Sequence, residues 1–539
     1  MKVPAALVRR DAPHGMVCTV DHLASEAGVA LLRAGGSAAD AAVGASAVLA
    51  VTTQHMCGLG GDLFALVHHR DGAPPDCLNA SGRAGSGADP DRLRAAGHRV
   101  MPFRGSVASV PVPGCVDGWS ALHARHGRLP IGDVLAPALA LAEGGFPASP
   151  QLAAAVRNVA DVEGNDDYAR GPVATGTVIR RPGVARSLRA IAEGGRDAWY
   201  RGEFGAGLVR VGAGEYHEDD LARSQADWVL PAQLDVWDHR AYTVPPNSQG
   251  YLSLAGGWIA ERAGLPADAE DGLWAHLLVE AARAAGHDRP DVLHEHADAA
   301  ALLDPARLEA RLAAVRPDRA ASWEDDYRPG GTIYLCAVDA ERMGVSLIQS
   351  NASGFGAHLT VPELGVFLHN RGIGFSLEPG HPAEYGPGRR PPHTLSPALL
   401  QRADGSLRAV LGTMGGDGQP QVILQMLARL LQQGQDAGTV VAGPRWTLER
   451  DHGTGFDTWL ATTDAGGMGR QGGAADGLTV VLEADAPAPW VDGLRDRGHR
   501  VDVRDRWNWG HAQMIEVTEA ATLSGAADPR ALTGAAAGY

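Results

Sequence analysis

A threonine preceded by two glycines, Gly330-Gly331-Thr332, stands at the head of the run "TIYLCAVD", which alternates as a buried strand does. A threonine hydroxyl is a weak nucleophile unless a base lies beside it. The smallest such base is the residue's own α-amine, released when the peptide bond before it is cut. Glycines at 330 and 331 let the backbone approach closely and adopt angles other residues avoid, as a scissile bond demands. Cleavage there would make Thr332 the first residue of a new chain, with its amine and hydroxyl both fixed at a strand end. The β-propensity of threonine is enough to account for its position, so the pattern alone does not point to a nucleophile.

A second candidate is "GTMGGDGQPQVILQMLARLLQQG", where a strand from Ala409 to Gly412 passes through Gly415 and Gly416 into an amphipathic helix. A strand, a Gly-Gly turn and a helix start form a recurrent way of aiming backbone N–H groups at developing negative charge. In a chain with 70 glycines such a turn is weak by itself. Other polar clusters carry less. The "HEH" at His294 to His296 lacks the i, i+4 spacing of a zinc helix, and His68-His69 and His381 have no matched ligand set. "GLGGD" from Gly58 lacks the Lys-Ser/Thr of a phosphate loop and reads as a turn. No metal, nucleotide or other cofactor is expected.

The elements that must position these residues follow from periodicity. From Leu23 to about Ala50 the apolar spacing is helical, and Arg33, Asp40 and a Gly-Gly within it make it two buried helices with a turn, not a membrane span. "ALVHH" and "DCLNA" read as a strand pair around "RDGAPP". Helices are expected over "PIGDVLAPALALAEGG", from Leu273 and from Pro305, and the polar stretch before Thr332 has loop composition. Strands follow at Ile333 to Asp339 and Val345 to Ser350, joined as a hairpin, and at Gly365 to Asn370. Helices outside and strands after Thr332 suit helix layers on both faces of packed sheets.

With 45% hydrophobic and 20% charged residues, the chain can bury a large core. A net charge of −16 argues against nucleic acid or an anionic membrane as partner. The five cysteines, widely spaced and without CxxC, read as reduced thiols. The first residues, "MKVPAALVRRDAPHG", show no apolar segment of a signal peptide, so a cytoplasmic protein is expected.

Ten collinear blocks, among them "VCTVDHLASEAGVALLRAGGSAADAAVGASAVLAV", "CGLGGDLFALV", "GGTIYLCAVD", "LHNRGIGFSLEPGHP", "RRPPHTLSPALL", "LGTMGGDG" and "GAADPRALTGAAAGY", resemble the γ-glutamyltranspeptidase family. The resemblance spans nearly the whole chain. It implies an α+β fold, the four-layer αββα sandwich of the N-terminal-nucleophile hydrolases. It also implies one precursor cut between Gly331 and Thr332, with a large chain of 1–331 and a small chain of 332–539 remaining together as one folded unit. By the same resemblance Thr332 falls at the nucleophile, Ser350 at a hydroxyl beside the nucleophile's amine, and Gly415 and Gly416 at the oxyanion donors.

Several positions depart from the family's pattern. The acidic residue that binds a donor's α-amino group is here Gly374, and a nearby amide is Arg371. A pair of serines reads His393 and Thr394, the large-chain arginine is offset to Arg83 beyond Ser81, and the small-chain asparagine is displaced to Asn351. These changes remove the partner of an ammonium group and add a guanidinium. They predict a pocket in which Arg83, Arg371, His393 and Thr394 hold the carboxylate of an acyl amide that lacks an α-ammonium, as in the acylase and amidohydrolase branch. The partners expected are a small-molecule acyl amide as donor, water or an amine as acceptor, and the two chains of the processed precursor; a homo-oligomer stays open. The alternatives are a true γ-glutamyl transferase acting on glutathione-like donors, or an unprocessed homologue without catalysis.

Overall fold

The alternating run after Thr332 forms the strand Ile333–Val338, buried throughout, and the turn after Asp339 folds the chain back into Gly344–Ser350. This hairpin is the centre of an antiparallel seven-stranded sheet. Its order is Ala535–Gly538, Met16–Thr19, Ile333–Val338, Gly344–Ser350, Asp62–His68, Asp76–Ala80, Asp227–Val229. A second antiparallel sheet of seven runs Arg9–Ala12, Leu523–Ala527, Ala512–Val517, Leu407–Thr413, Ala398–Gln401, His239–Thr243, Ala232–Val236. The computed structural model describes residues 9–168, 171–321, 332–449, 478–505 and 510–539.

The two sheets face each other across an apolar filling that includes Phe64, Tyr242, Tyr334, Ile348, Leu399 and Ile515. On the outer face of the first sheet lie helices such as His22–Arg33, Ala38–Thr52 and Ile131–Gly144. Tyr251–Ala263, Gly272–Gly286 and Gln419–Leu427 cover the second. The architecture is therefore the expected αββα sandwich. Ala38–Thr52 is buried along its whole length, which explains its run of alanine, glycine and valine: only small side chains fit a helix enclosed on every side. Its start is secured by a capping box between Ser37 and Asp40. No described helix is long and apolar enough to cross a membrane. All five cysteines are buried and unpaired by disulfides.

One expected strand is largely replaced. Of Gly365 to Asn370 only Val366–Phe367 pairs as a strand, and Arg371–Gly374 is a 3-10 turn. The backbone here leaves the extended form because His369, Asn370 and Arg371 are each held by side-chain bonds to other segments.

The sandwich also fixes what meets at its end. Residues opposite each other on neighbouring strands share a face, and side chains two positions apart on one strand do too. Ser350 is registered against Asp62, and Ile333 against Gln349, which sets Thr332 beside Ser350. Tyr334, Ile348 and Phe64 point between the sheets, so Thr332, Ser350 and Asp62 form a row on that same inner face. From the second sheet, Gly412 lies over Tyr334 so closely that a Cβ there would meet the ring at 2.5 Å. The strand Leu407–Thr413 therefore delivers Met414, Gly415 and Gly416 to the same end of the sandwich as Thr332.

Candidate active site

The Thr332 hydroxyl oxygen stands 3.0 Å from that of Ser350, and both side chains are buried. Ser350 Oγ also accepts the Ala352 N–H at 2.7 Å, which helps fix its rotamer. A pair of hydroxyls so placed can pass a proton to or from an amine at the head of the strand. Gly331, expected on the other side of the scissile bond, lies outside the described residues.

Asp62, third in the row, is fully buried and gathers three of the neighbouring side chains. Its Oδ2 accepts Arg371 Nε at 2.9 Å and lies 3.0 Å from His393 Nε2 and 3.3 Å from His369 Nδ1. Burial alone would raise the Asp62 carboxyl, but the charge of Arg371 and the contact with His393 outweigh it and hold it well below the usual carboxylate range. Burial, followed by the Arg371 charge, pushes the His393 imidazole down to about 3, so it is neutral at ordinary pH. Arg371 reaches beyond Asp62 to donate from Nη1 to Thr394 Oγ1 at 2.9 Å. Among the described residues its Nη2 is buried without a hydrogen-bond partner, as is Asp62 Oδ1.

A cleft of about 620 Å³ opens against this cluster, and its wall includes Gly374, His393, Thr394, Arg289 and Asp417. The Gly-Gly loop ends on that wall. Gly415 and Gly416 have φ of 143° and 55°, values that a side chain would oppose, and a 3-10 turn follows at Gly416–Gly418. Arg289 holds the loop, donating to both carboxylate oxygens of Asp417, at 2.6 and 3.0 Å, and to Gln249 Oε1 at 2.6 Å. Gln249 Nε2 in turn donates to the carbonyls of Gly416 and Thr394, both at 3.0 Å. The loop and the Thr394 segment are thus fastened to one side chain.

The structure brings Gly374, His393 and Thr394 to the cleft and places the two arginines, Arg83 and Arg371, in ion pairs. Arg83 is not part of the cleft wall: its guanidinium is ion-paired with Asp227 and donates to the Ser224 carbonyl, alongside Arg390, which binds the same carboxylate at 2.7 Å. Arg371 is 2% exposed and stands behind Thr394, not in the opening. Asp62 is its counter-ion, a residue the sequence presented only as the end of a glycine turn, so Arg371 brings no uncompensated positive charge. Gly374 is glycine for a packing reason as well, since a Cβ there would come within 2.4 Å of the Pro392 carbonyl oxygen. Asn351 donates to the Gln54 carbonyl at 3.0 Å, holding the segment after Ser350. Glu295 of "HEH" binds Arg389 Nε and the Arg390 N–H, a structural use unrelated to metal. Arg289, Asp417 and Gln249, all missed in the sequence, carried no local signal, because their meaning lies in contacts between segments far apart in the chain.

Residues 24–539 match the family model described as gamma-glutamyltranspeptidase. The chain is 35% identical to an oxamate amidohydrolase proenzyme of Klebsiella pneumoniae over 98% of each chain. It is 34% identical to the glutathione hydrolase-like YwrD proenzyme of Bacillus subtilis, over 97% of this chain and 98% of that one. Among solved structures, a cephalosporin acylase from Bacillus halodurans superimposes with a TM-score of 0.88 at 30% identity, covering 100% of this chain and 98% of the other. The chain belongs to the γ-glutamyltranspeptidase family, and it is an amide hydrolase or acyltransferase of that type.

Proposed function

We propose that the chain is cut between Gly331 and Thr332 and that Thr332 is then the nucleophile that takes the acyl group from a small, carboxylate-bearing amide lacking an α-ammonium. The observation that carries the reading is the 3.0 Å contact between the Thr332 and Ser350 hydroxyls at the head of the central hairpin. In the cut chain the Thr332 amine accepts the hydroxyl proton as Oγ1 attacks the amide carbon, and returns it to the leaving amine. Ser350 orients the pair and relays the proton. The N–H groups of Gly415 and Gly416 receive the oxyanion, and water or a second amine releases the acyl group from Thr332.

Thr394 supports the choice of donor. Its oxygen already accepts from Arg371, so its own proton is free to be given to an acceptor in the cleft, and the guanidinium behind it strengthens that bond. Asp62 cancels much of the Arg371 field, so discrimination against an ammonium rests mainly on the lack of an acid at Gly374. Oxamate, for which one relative is named, is an amide of this kind, with a carboxylate and no ammonium. The test uses matched donors: oxamate, a glutaryl amide and the corresponding γ-glutamyl amide, compared in kcat/KM, with mass spectrometry of the acylated small chain. A higher kcat/KM for the des-amino member of the pair, with the acyl group on the peptide beginning at Thr332, is the expected result. A preference for the γ-glutamyl compound would overturn the donor class, and an acyl group elsewhere, or none with turnover intact, would overturn the nucleophile.

A further inference from the structure

At the far end of the strand that begins with Asp62, three side chains from separate segments converge. His69 follows the strand Asp62–His68, Asp76 opens the strand Asp76–Ala80 beside it, and His126 is the last residue of the helix Cys115–His126. His69 Nε2 lies 3.1 Å and His126 Nε2 3.0 Å from the same oxygen, Oδ2 of Asp76, and the three atoms are all within 4.8 Å of one another. The linear spacing matches no metal motif, which is why the sequence shows His69 without ligand partners.

Two features separate this group from an ordinary His–Asp hydrogen-bond cluster. Despite the short separations, Asp76 Oδ2 and His126 Nε2 are buried and, among the described residues, neither makes a hydrogen bond of regular geometry. The His126 side chain is only 6% exposed, and leaving its ring nitrogen unpaired is costly unless something else occupies it. Separations near 3 Å are what donor atoms show when they share a metal ion: ligands about 2.0–2.1 Å from a tetrahedral zinc stand about 3.3 Å apart.

We propose that His69, Asp76 and His126 bind one divalent transition metal ion of the zinc class, through the two Nε2 atoms and Oδ2. Two imidazoles and a carboxylate are the donor set such an ion prefers, and the partial exposure of His69 leaves a coordination position to water. The surroundings suit it. Arg125 donates from Nη2 to the other oxygen of Asp76 at 2.9 Å, the outer bond that orients a ligating carboxylate, and its guanidinium is itself held over the Trp228 ring. Trp228 also packs edge-on against the His126 ring, at 5.6 Å between centroids. The C-terminal end of a helix, where His126 sits, favours a cation. The ion would staple the hairpin to that helix, seven residues of strand or roughly 20 Å from Asp62, and so outside the catalytic cleft.

The test uses the full-length, tag-free protein stripped of metal and titrated with Zn²⁺ against a chromophoric chelator, then with Co²⁺ followed by its visible absorption. One equivalent of zinc, a raised thermal midpoint and a cobalt d–d band are expected. His69→Ala, at the more exposed ligand, should weaken zinc binding by about 100-fold and abolish both the band and the midpoint shift. Asp76→Asn should do the same, and serves if either variant folds poorly. Binding well below one equivalent, or one equivalent whose affinity neither variant changes, overturns the site.

Discussion

Replacing Asp62 by asparagine is the sharpest probe of the active-site end. The change keeps the side chain's shape but removes the charge that balances Arg371, and the two side chains are 0% and 3% exposed. His393 can only be neutral or positive, so it cannot substitute as a counter-ion to Arg371. Removing one partner of such a pair leaves an uncompensated buried charge and typically costs about 3–5 kcal/mol. Arg371→Met should be costly for the mirror reason, leaving Asp62 charged and unpaired. The double variant removes both charges, so its loss should fall short of the sum of the two single losses by at least about 1 kcal/mol. Guanidinium unfolding midpoints on a Thr332→Ala background, where the chain is expected to stay single, measure all four corners of the cycle. The pH dependence has a definite sign. The folded pKa of Asp62 is depressed, so its contribution is complete above its unfolded value of about 3.9 and is lost as pH falls through the folded one. The gap between wild type and Asp62→Asn should therefore be constant near neutrality and narrow only below about pH 4. Because Thr394 depends on Arg371 for its position, turnover of Asp62→Asn should also fall by about 10²-fold. Single losses under about 1 kcal/mol that simply add would refute the reading of this cluster as a buried, mutually dependent charge pair.

Three further outcomes bear on the nucleophile and its loop. Wild-type protein should run on a denaturing gel as fragments of about 34 and about 22 kDa by share of the 56.1 kDa chain, the smaller beginning at Thr332, while Thr332→Ala should remain whole. An active wild type that stays a single band would remove the free amine from the mechanism. Ser350→Ala, which deletes the hydroxyl 3.0 Å from Thr332 Oγ1, should lower kcat by about 10²-fold with KM little changed, as steady-state kinetics on the cut enzyme would show; an unaltered kcat would reduce Ser350 to a packing residue. Gly416→Val forces a side chain onto φ of 55° and displaces the neighbouring N–H groups, so turnover should fall by about 10²–10³-fold; normal processing with full turnover would discard the oxyanion assignment.

How far the sequence carries the reader depends on whether a residue's meaning is local. The hairpin after Thr332 was legible because alternation, a turn and buried apolar residues sit within one stretch, and the two sheets follow once helices are seen to flank them. The helix Ala38–Thr52 could be expected from its apolar run alone. Asp62 could not, since its role exists only where the strands beginning at Asp62, ending at Ser350 and starting after Thr332 are laid side by side. The same holds for Arg371 and Arg83: as letters both are free cations, and as folded side chains both are committed to carboxylates, one on a neighbouring strand edge and one beneath the cleft. Gly374 shows how the two views combine. Read as a letter, it marks a missing acid; in the fold, the Pro392 carbonyl fills the space a side chain would need, so an acid could not simply be put back by mutation. A change of donor class toward amino-acid amides would require the Pro391–Thr394 segment to move as well. That segment is tied through Gln249 to the Gly415–Gly416 loop and through His393, and through Thr394 by way of Arg371, to Asp62, so the wall around Gly374 and the Gly-Gly loop are joined by one set of hydrogen bonds.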